Sequence, residues 1–290
     1  MENEFRKLDF VIQQTKEILL YFNGARRRDA VTFCITNITR LNSAANGVKV
    51  LLEKFDEIPS VEYSIGIVMR SVFLDLAIVN NAVETINLIW ADQEKLRKEL
   101  LVSGESDLEK TKKVEQFNTA SVERFELFCS KWLSDNVSFA INDIAYIYSN
   151  YTKQQLKGLY SFIVHLMPER FKPYSHDGSK PELLVTNDLK QRDLLKNLKN
   201  SKVIPQSATV FDAYSYYSKY DHFGQMFLSL SGMPKEKKLS MISGSLKAFT
   251  NSLMMTLICL NNVVQNDLFL KTKIEATAHF IDEMKAIDGK

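Results

Sequence analysis

Apolar side chains recur every three or four residues over most of this 290-residue chain. This spacing places them on one face of a helix and is typical of amphipathic α-helices. A first predicted helix carries Phe5, Leu8, Ile12, Leu19 and Phe22. Gly24 follows as a residue suited to end it. A second predicted helix covers residues 29–55, and its apolar face consists of Phe33, Ile38, Leu41, Ala45, Val48 and Leu52.

A third predicted helix begins after Pro59, with Ser60 as its N-cap, and continues through Trp90 to about residue 100. Its first part is apolar on every side, and so are residues 253–270. Both stretches nevertheless contain polar side chains, among them Arg70, Asp75, Glu84, Asn261, Asn262, Gln265, Asn266 and Asp267. A charge near the centre of a bilayer costs about 2.5–3.5 kcal/mol. We therefore expect central helices of a soluble bundle, covered by neighbours on every face, and no membrane contact.

A turn at residues 103–106 separates the third helix from the fourth. Ser106 and Glu109 form a predicted capping box, in which each side chain binds the free backbone N–H of the other. The fourth helix continues to about residue 133. A second cap at residues 152–155 opens a helix that ends near residue 167, because Pro168 cannot continue it comfortably.

Residues 168–206 differ from the rest because they hold four of the six prolines. They predict an irregular surface excursion with one short polar helix at about residues 187–198. It is a lid, a crossing between subdomains, or a connection without a function of its own. Helical spacing returns at residues 207–230 and 235–270, and a last helix reaches residue 287.

No stretch alternates apolar and polar residues as a half-buried β-strand does. The sequence therefore predicts an all-α fold, a multi-helix bundle with long central helices. We expect one domain over residues 1–290, in which the helical pair 1–58 packs on a core bundle formed by residues 60–270.

Composition and charge indicate which partners and which cellular compartment we expect. A net charge of +2 gives no overall electrostatic case for a nucleic-acid-binding surface. Cys34, Cys129 and Cys259 stand in apolar stretches, as core residues of a protein in a reducing compartment do. The charged N-terminus lacks the apolar segment of a secretion signal. We expect a soluble, cytoplasmic protein.

The segment at residues 211–224 concentrates side chains that can carry chemistry: four tyrosines, two serines, two aspartates and a histidine. In a helix, Ser218 and His222 fall on one stripe and Tyr217 and Asp221 on the next. Tyr214 lies one turn before Ser218. A hydroxyl, an imidazole, a phenol and a carboxylate therefore converge on one predicted patch.

Arg70 and Asp75 are the second half of the candidate site. A charge inside so apolar a helix is costly unless it is paired or faces a cavity. The two side chains lie about 140° apart around a helix, so they do not pair with each other. Each needs a partner on a neighbouring helix, and the natural candidates are Asp221, His222 and the tyrosines.

An Arg-x4-acid helix, here Arg70 to Asp75, followed far downstream by a Tyr-Ser-x3-His helix, here Tyr217 to His222, resembles a group of poorly characterised bacterial all-α proteins related to the HEPN helical domains. The resemblance covers about residues 60 to 270. It implies a helical bundle whose polar residues meet in a cleft. It also implies nucleotide or RNA binding and, in some relatives, a metal-independent ribonuclease activity in toxin or defence systems.

The chain departs from the ribonuclease pattern, which has an arginine a few residues before the histidine on the same helix to support the charged transition state. Here Tyr216, Tyr217 and Ser218 precede His222. Arg170 and His176 match Arg-x5-His by letter, but Pro173 lies between them. The histidine is the best catalytic candidate if any reaction occurs.

Other chemistries find less support. A hydrolase triad of Ser218, His222 and Asp221 lacks a strand-to-helix elbow, and Asp221 lies on a different stripe. The four histidines are scattered, so we predict no metal site and no cofactor.

Four hypotheses therefore stand side by side. The first is binding of a nucleotide, RNA or another small anion by the ligand-binding set Arg70, Asp75, Tyr214, Tyr217, Ser218, Asp221 and His222. The second is a protein-interaction or regulatory module of a bacterial defence or toxin–antitoxin type system, with self-association or a protein partner. The third is a ribonuclease that uses His222. The fourth is a polar network that only fixes helix register.

Overall fold

The computed structural model describes residues 1–23, 29–58, 61–139, 171–173, 181–183, 191–201, 207–218 and 232–288. Helices occupy nearly all of them, which confirms the predicted all-α class. The helices are α1 Glu2–Tyr21, α2 Asp29–Glu53, α3 Val61–Val102, α4 Asp107–Phe139, α5 Gln191–Lys199, α6 Ser207–Tyr217, α7 Lys235–Ser245, α8 Lys247–Val264 and α9 Leu268–Asp288.

The long central helices form where the apolar spacing predicts them. Helix α3 is 42 residues long, and α4 extends to Phe139, past the predicted end near residue 133. The predicted capping box is confirmed, because the N–H of Ser106 donates to Glu109 Oε2 at 2.9 Å and the N–H of Glu109 donates to Ser106 Oγ at 3.4 Å. The predicted helix at 152–167 and the end of the one at 207–230 lie outside the described residues.

The predicted helix at 235–270 is wrong as one element, since three helices share this stretch. Helix α7 ends at Ser245, and α8 begins after Leu246. Helix α8 ends at Val264 because Gln265 and Asn266 adopt positive φ angles of 28° and 62°. Asn tolerates this left-handed conformation better than most residues. Asp267 then caps α9, its Oδ1 accepting the N–H of Leu270 at 3.0 Å.

A short antiparallel pair of strands lies in the excursion, where no strand is predicted. Strand β1 is Phe171–Pro173 and β2 is Pro181–Leu183, with Phe171 opposite Leu183. Three residues per strand are too few to show an alternating pattern in the sequence. The helix predicted at 187–198 is α5, displaced by a few residues.

The chain divides into two compact units. The first, called the helical core unit, comprises residues 1–26, 34–87 and 191–290, and the second, called the hairpin unit, comprises residues 27–33 and 88–190. A single domain over the whole chain stays a prediction, because two compact units are compatible with either one domain or two.

In the helical core unit, α1 packs against α8 and α9. Phe10 stacks on Phe280 with ring centroids 3.9 Å apart, and Tyr21 stacks on Phe269 at 4.1 Å. Arg6 donates to Glu283 at 2.6 Å. The N-terminal and C-terminal helices of the chain are therefore joined by both apolar and charged contacts. Large side chains of this unit that are fully buried include Leu8, Ile18, Ile38, Leu52, Ile65, Met69, Leu76, Ile86, Tyr217 and Phe249.

In the hairpin unit, the end of α3 turns back into α4. Phe33 packs edge-on against Phe128 and Trp132, with ring centroids 5.9 and 5.0 Å apart. Glu126 Oε2 accepts the N–H of Ala30 at 2.9 Å. These contacts tie α4 to residues 30–33 at the start of α2.

Helix α3 is long and apolar enough to cross a membrane by length and composition, the one such helix among the described residues. Its most apolar stretch is 72% buried within the protein. The core helix of a soluble protein passes the same test. The absence of a membrane contact therefore stays a prediction.

Candidate functional site

The structure describes five of the seven predicted site residues: Arg70, Asp75, Tyr214, Tyr217 and Ser218. Asp221 and His222 lie outside the described residues. The distance between the Arg70 guanidinium and the His222 imidazole, on which the proposed cleft depends, therefore stays a prediction.

The two segments that carry the candidate residues are in contact in the helical core unit. Phe73 of α3 stacks on Tyr217 of α6, with ring centroids 5.8 Å apart and an interplanar angle of 21°. Arg70 is three residues before Phe73 and is partly exposed. Residues three apart on a helix are neighbours on its surface. Arg70 therefore lies on the side of α3 that meets the end of α6.

Tyr217 is part of the core at this junction, and only 2% of it is exposed. Its hydroxyl donates to Ser245 Oγ of α7 at 3.0 Å. Burial raises the pKa of the Tyr217 phenol above its usual value, with a smaller opposing effect from the bond to Ser245. The phenol stays protonated and holds α6 against α7. Tyr217 therefore has a structural role at this junction.

Tyr214 and Ser218 belong to the same end of α6. Tyr214 is buried one turn before Ser218, which directly follows the last residue of the helix. The Ser218 hydroxyl donates to the backbone carbonyl of Ser215 at 2.7 Å. That bond satisfies a free carbonyl at the helix terminus. Ser218 therefore ends α6, and the segment with Asp221 and His222 begins three residues later.

Asp75 has a partner that the sequence did not suggest, Arg40 of α2. Arg40 Nε donates to Asp75 Oδ2 at 2.9 Å. The other oxygen, Oδ1, is buried and finds no hydrogen-bond donor among the residues that the structure describes. Burial raises the pKa of the Asp75 carboxyl above its usual value, and the bond from Arg40 opposes this only in part. The natural candidates named from the sequence, Asp221 and His222, are not described, so their relation to Asp75 stays a prediction.

The Arg40 side chain is 43% exposed, whereas that of Asp75 is 11% exposed. The ion pair therefore reaches from the core toward water, and only one of the guanidinium nitrogens, Nε, is engaged in the bond to Asp75. A guanidinium has five N–H donors in a planar fork. Arg40 is thus a second cation on the helices around the candidate site.

A buried amide pair one turn further along α3 was missed in the sequence. Asn80 Oδ1 accepts the hydroxyl of Ser201 at 3.0 Å. Asn81 Oδ1 accepts Asn197 Nδ2 at 2.9 Å, and Asn81 Nδ2 donates to the carbonyls of Ala77 at 2.8 Å and Leu194 at 3.4 Å. These bonds hold α5 on α3. The signal in the sequence is the Asn80-Asn81 pair inside an apolar stretch, where an amide needs a partner.

Lys199 at the end of α5 lies 5.2 Å from the centre of the Phe211 ring of α6. Helices α5 and α6 pack against each other, and both border α3 through the contacts of Asn81 and Phe73. Three basic side chains thus lie on neighbouring helices in this part of the helical core unit, Arg70 on α3, Arg40 on α2 and Lys199 on α5. Among the described residues, no group of three or more His, Cys, Asp or Glu side chains is placed to hold a metal ion.

The three cysteines are buried and form no disulfide, as the sequence predicts for core residues. Burial raises the pKa of the Cys259 thiol well above its usual value, with a small opposing effect from a backbone hydrogen bond. This thiol is therefore kept from forming the reactive thiolate.

No known protein family, no curated protein and no solved structure matches this chain. The resemblance to HEPN-related helical proteins therefore rests on its short motifs and stays a prediction.

Proposed function

We propose that the chain is a bacterial, cytoplasmic, HEPN-like helical protein that binds a small anion, a nucleotide or an RNA phosphate, where α3 meets the end of α6. The stacking of Phe73 on Tyr217 carries the proposal. It brings the Arg70 side of α3 to the point where α6 leads into the segment with Asp221 and His222. Three buried cysteines outside any disulfide are in keeping with a reducing compartment.

Arg70 holds the anion in this proposal. A guanidinium presents parallel N–H donors that match two oxygens of a phosphate or a carboxylate. Its place on a mostly apolar helix makes its attraction for an anion stronger than on an open surface, because surrounding apolar groups lower the local dielectric. We propose that His222 and Asp221 supply further polar groups to the same ligand. His222 donates a hydrogen bond, or transfers a proton if a reaction occurs.

The remaining residues of the predicted set support the site. Tyr217 is nearly inaccessible and bonded to Ser245, so it fixes α6. Asp75 is bonded to Arg40 and fixes α2 on α3. Tyr214 is buried near the end of α6, and the hydroxyl of Ser218 binds the carbonyl of Ser215 where the helix ends. These contacts hold the helices around Arg70 in place, as a binding site requires if its donors are to keep their geometry.

Calorimetric titration of nucleotides and of short RNAs into the full chain tests the proposal. We expect binding to the wild type and a loss of about 10-fold or more in Arg70→Ala, the effect of removing one charge-assisted hydrogen bond to an anion. Arg124→Ala is the matched control. Arg124 is exposed and paired with Asp92 in the hairpin unit, so its loss changes the net charge equally without touching the junction.

Equal affinities of wild type and Arg70→Ala would end the assignment of Arg70, and an equal loss in the Arg124 control would show unspecific attraction. His222→Ala completes the series. If it lowers affinity as Arg70→Ala does, the imidazole belongs to the same cleft; if it leaves affinity unchanged, the cleft does not include it.

An interaction module is a second candidate function, and one observation favours it. Exposed apolar side chains concentrate on the helical hairpin formed by α3 and α4, where Leu101, Val102 and Leu108 are all highly exposed. Clusters of this kind commonly mark contact surfaces.

A further inference from the structure

Helix α7 differs from its neighbour α8 in how it is attached to the helical core unit. Of its eleven side chains one, Ile242, is buried, whereas ten of the eighteen side chains of α8 are buried. Burial of apolar side chains is the main source of helix stability in a folded protein. The position of α7 is therefore maintained chiefly by polar contacts.

The first half of α7 is held by two ion pairs. Lys238 Nζ lies 2.7 Å from Glu62 Oε1 of α3, and these two side chains are 12% and 15% exposed. Lys235 pairs with Asp56 in the turn after α2, where both side chains are more than half exposed. Removing Lys238 would leave the Glu62 carboxylate sheltered from water without its cation, which costs far more than losing an exposed pair. The inner pair therefore contributes most to the attachment.

The second half of α7 is held by two serine hydroxyls. Ser243 donates to Glu4 of α1, and Ser245 accepts the hydroxyl of Tyr217 of α6 at 3.0 Å. Tyr217 is the residue that stacks on Phe73 of α3 at the junction of α3 and α6. The last turn of α7 therefore lies against this junction, and the Tyr217 hydroxyl loses its partner Ser245 whenever α7 moves away.

The sequence of α7 forms a weak helix by itself. Pro234 precedes the helix, and no side chain forms a capping hydrogen bond there. The first four positions hold Lys235, Lys237 and Lys238 against the single negative charge of Glu236, although the helix dipole is already positive at this end. An isolated helix of fewer than about 12–15 residues is marginal in water even with favourable residues. Helix α7 therefore depends on the two carboxylates that pair with Lys235 and Lys238.

We propose that α7 is a strap over the junction of α3 and α6, closed by the ion pairs of Lys235 and Lys238, which opens as one unit while the rest of the core stays folded. Opening of α7 exposes one buried side chain, whereas opening of α8 would expose ten. Local openings of this kind have a smaller free energy than global unfolding. Because charges hold the strap, ionic strength controls how often it opens. The inference stands without the proposed ligand, since its measurements use none.

Hydrogen exchange of the full chain, followed by mass spectrometry of overlapping peptides from α7 and α8, tests the proposal. In Lys238→Met we expect the amides of α7 to exchange about ten-fold or more faster than in the wild type, because the open form is populated more often. The amides of α8 should keep their wild-type rates. Methionine retains an apolar stem like that of lysine, so the substitution chiefly removes the charge.

Lys237→Met is the matched control. Lys237 lies in the same turn, is exposed, and has no ion-pair partner in the part of the chain that the structure describes. Removing its charge should leave the exchange of α7 unchanged or slow it slightly, since one positive charge fewer then opposes the helix dipole. Glu62→Gln breaks the inner pair from α3 without altering the sequence of α7, and it should accelerate α7 as Lys238→Met does. Circular dichroism establishes that each variant is folded.

Salt tests the same attachment in the wild type, so this result does not depend on how well a variant folds. Raising the sodium chloride concentration from about 0.05 M to about 1 M shortens the screening length to roughly 3 Å. Exchange of α7 should then accelerate about two- to five-fold relative to α8. The exposed pair of Lys235 and Asp56 should account for most of this response, so Asp56→Asn should reduce it.

The proposal would be overturned by exchange of α7 that either Lys238→Met or salt leaves unchanged relative to α8. An acceleration that decreases steadily from Lys235 toward Ser245 would also overturn it, because a helix that frays from its first turn does not open as a unit. Equal acceleration in the Lys237 control would assign the effect to net charge. Equal acceleration of α8 would mean that the whole core is loosened, and either result would exclude the strap.

Discussion

Helix α3 has two parts that differ in environment although its backbone is continuous. From Asp75 to Val83 every residue is buried in the helical core unit. From Trp90 to Glu99 every residue is exposed or partly exposed in the hairpin unit. The same secondary structure is therefore maintained by two different means within one helix.

The first part is stabilised by packing, since each large side chain that leaves water contributes about 1.5–3 kcal/mol. The second part relies on local pairs. Glu94 accepts two bonds from Arg97, at 2.8 and 3.0 Å, and lies 3.6 Å from Lys98. Exposed pairs at this spacing contribute about 0.3–0.5 kcal/mol each. The hairpin part is thus the less stable one, and a contact with another surface would strengthen it most.

The largest contrast is expected from the same substitution in the two parts of α3. Leu76 is fully buried, whereas Leu88 is 55% exposed. Leu76→Ala removes apolar contacts and leaves a cavity, so it should lower the free energy of unfolding by about 2–5 kcal/mol. Leu88→Ala should lower it by less than about 1 kcal/mol. Urea denaturation followed by circular dichroism measures both.

Similar losses at the two positions would contradict the comparison, because they would mean that Leu88 is as well packed as Leu76. Each variant should also keep the denaturant slope of the wild type, which establishes that the same amount of surface is exposed on unfolding.

A smaller loss of stability is expected from removing the buried amide of Asn81, which attaches α5 to α3 by hydrogen bonds. Asn81→Ala removes the bonds to Asn197 and to the carbonyl of Leu194 that hold α5 on α3. The free energy of unfolding should fall by about 1–3 kcal/mol, because polar groups are left buried without partners. Asn46→Ala is the control, since its bond at 2.8 Å to the carbonyl of Asn42 is exposed.

Hydrogen exchange of the α5 amides tells where the loss arises. They should exchange faster in Asn81→Ala than in Asn46→Ala, because α5 opens first when its attachment is weakened. Unchanged exchange in α5, with the global stability lowered, would show that Asn81 acts within α3 and not between the helices.

Local signals account for what the sequence predicted correctly. The apolar spacing of the helices and the Ser106 cap depend on residues a few positions apart, and the structure confirms both. The break near Leu246 and the end of α8 at Val264 escaped prediction. The chain there keeps its apolar spacing, although Gly244 lies two residues before the break at Leu246. Neither Gly nor Pro follows Val264 directly, where Gln265, Asn266 and Asp267 stand instead.

The contacts that the sequence did not reveal join residues that are far apart in the chain. The pairing of Asp75 with Arg40 joins residues 35 positions apart on different helices. The sequence shows that a buried carboxylate needs a partner but does not identify it, because helix packing decides which side chain comes within reach. The stacking of Phe73 on Tyr217 has the same origin. A sequence therefore shows which residues need a partner, but not which residues those partners are.

Protonation of Asp75 should make the stability of the folded protein depend on pH. Its pKa in the folded protein is raised above the ordinary value of 3.8, chiefly by burial. The folded state then holds the proton more tightly than the unfolded state. Its contribution to stability is full below pH 3.8 and is lost as the pH rises through the raised pKa. In Asp75→Asn this decline should be absent.

Urea denaturation of wild type and Asp75→Asn across about pH 4 to 7 measures the difference. At neutral pH the two should agree within about 1 kcal/mol, because losing the bond to Arg40 and relieving a buried charge oppose each other. Asp9→Asn removes an exposed carboxylate paired with Lys49 and serves as the control for net charge. A wild type that becomes more stable relative to Asp75→Asn as the pH rises from about 4 to 7 would contradict the raised pKa of Asp75.

The smallest effect is expected at the Ser106 cap, where the hairpin is stabilised locally. Ser106→Ala removes the acceptor for the N–H of Glu109, so the first turn of α4 should lose about 0.5–1 kcal/mol. Ser121→Ala, the same substitution inside the same helix, should change stability by a few tenths of a kcal/mol in the opposite direction, because Ala favours helix interiors. Hydrogen exchange at the start of α4 separates the two, since global unfolding reports mainly on the buried core. If exchange at the start of α4 were the same in Ser106→Ala and in the wild type, the bond from the Glu109 N–H to Ser106 Oγ would contribute nothing to this turn, and the hairpin would depend less on its turn than its geometry indicates.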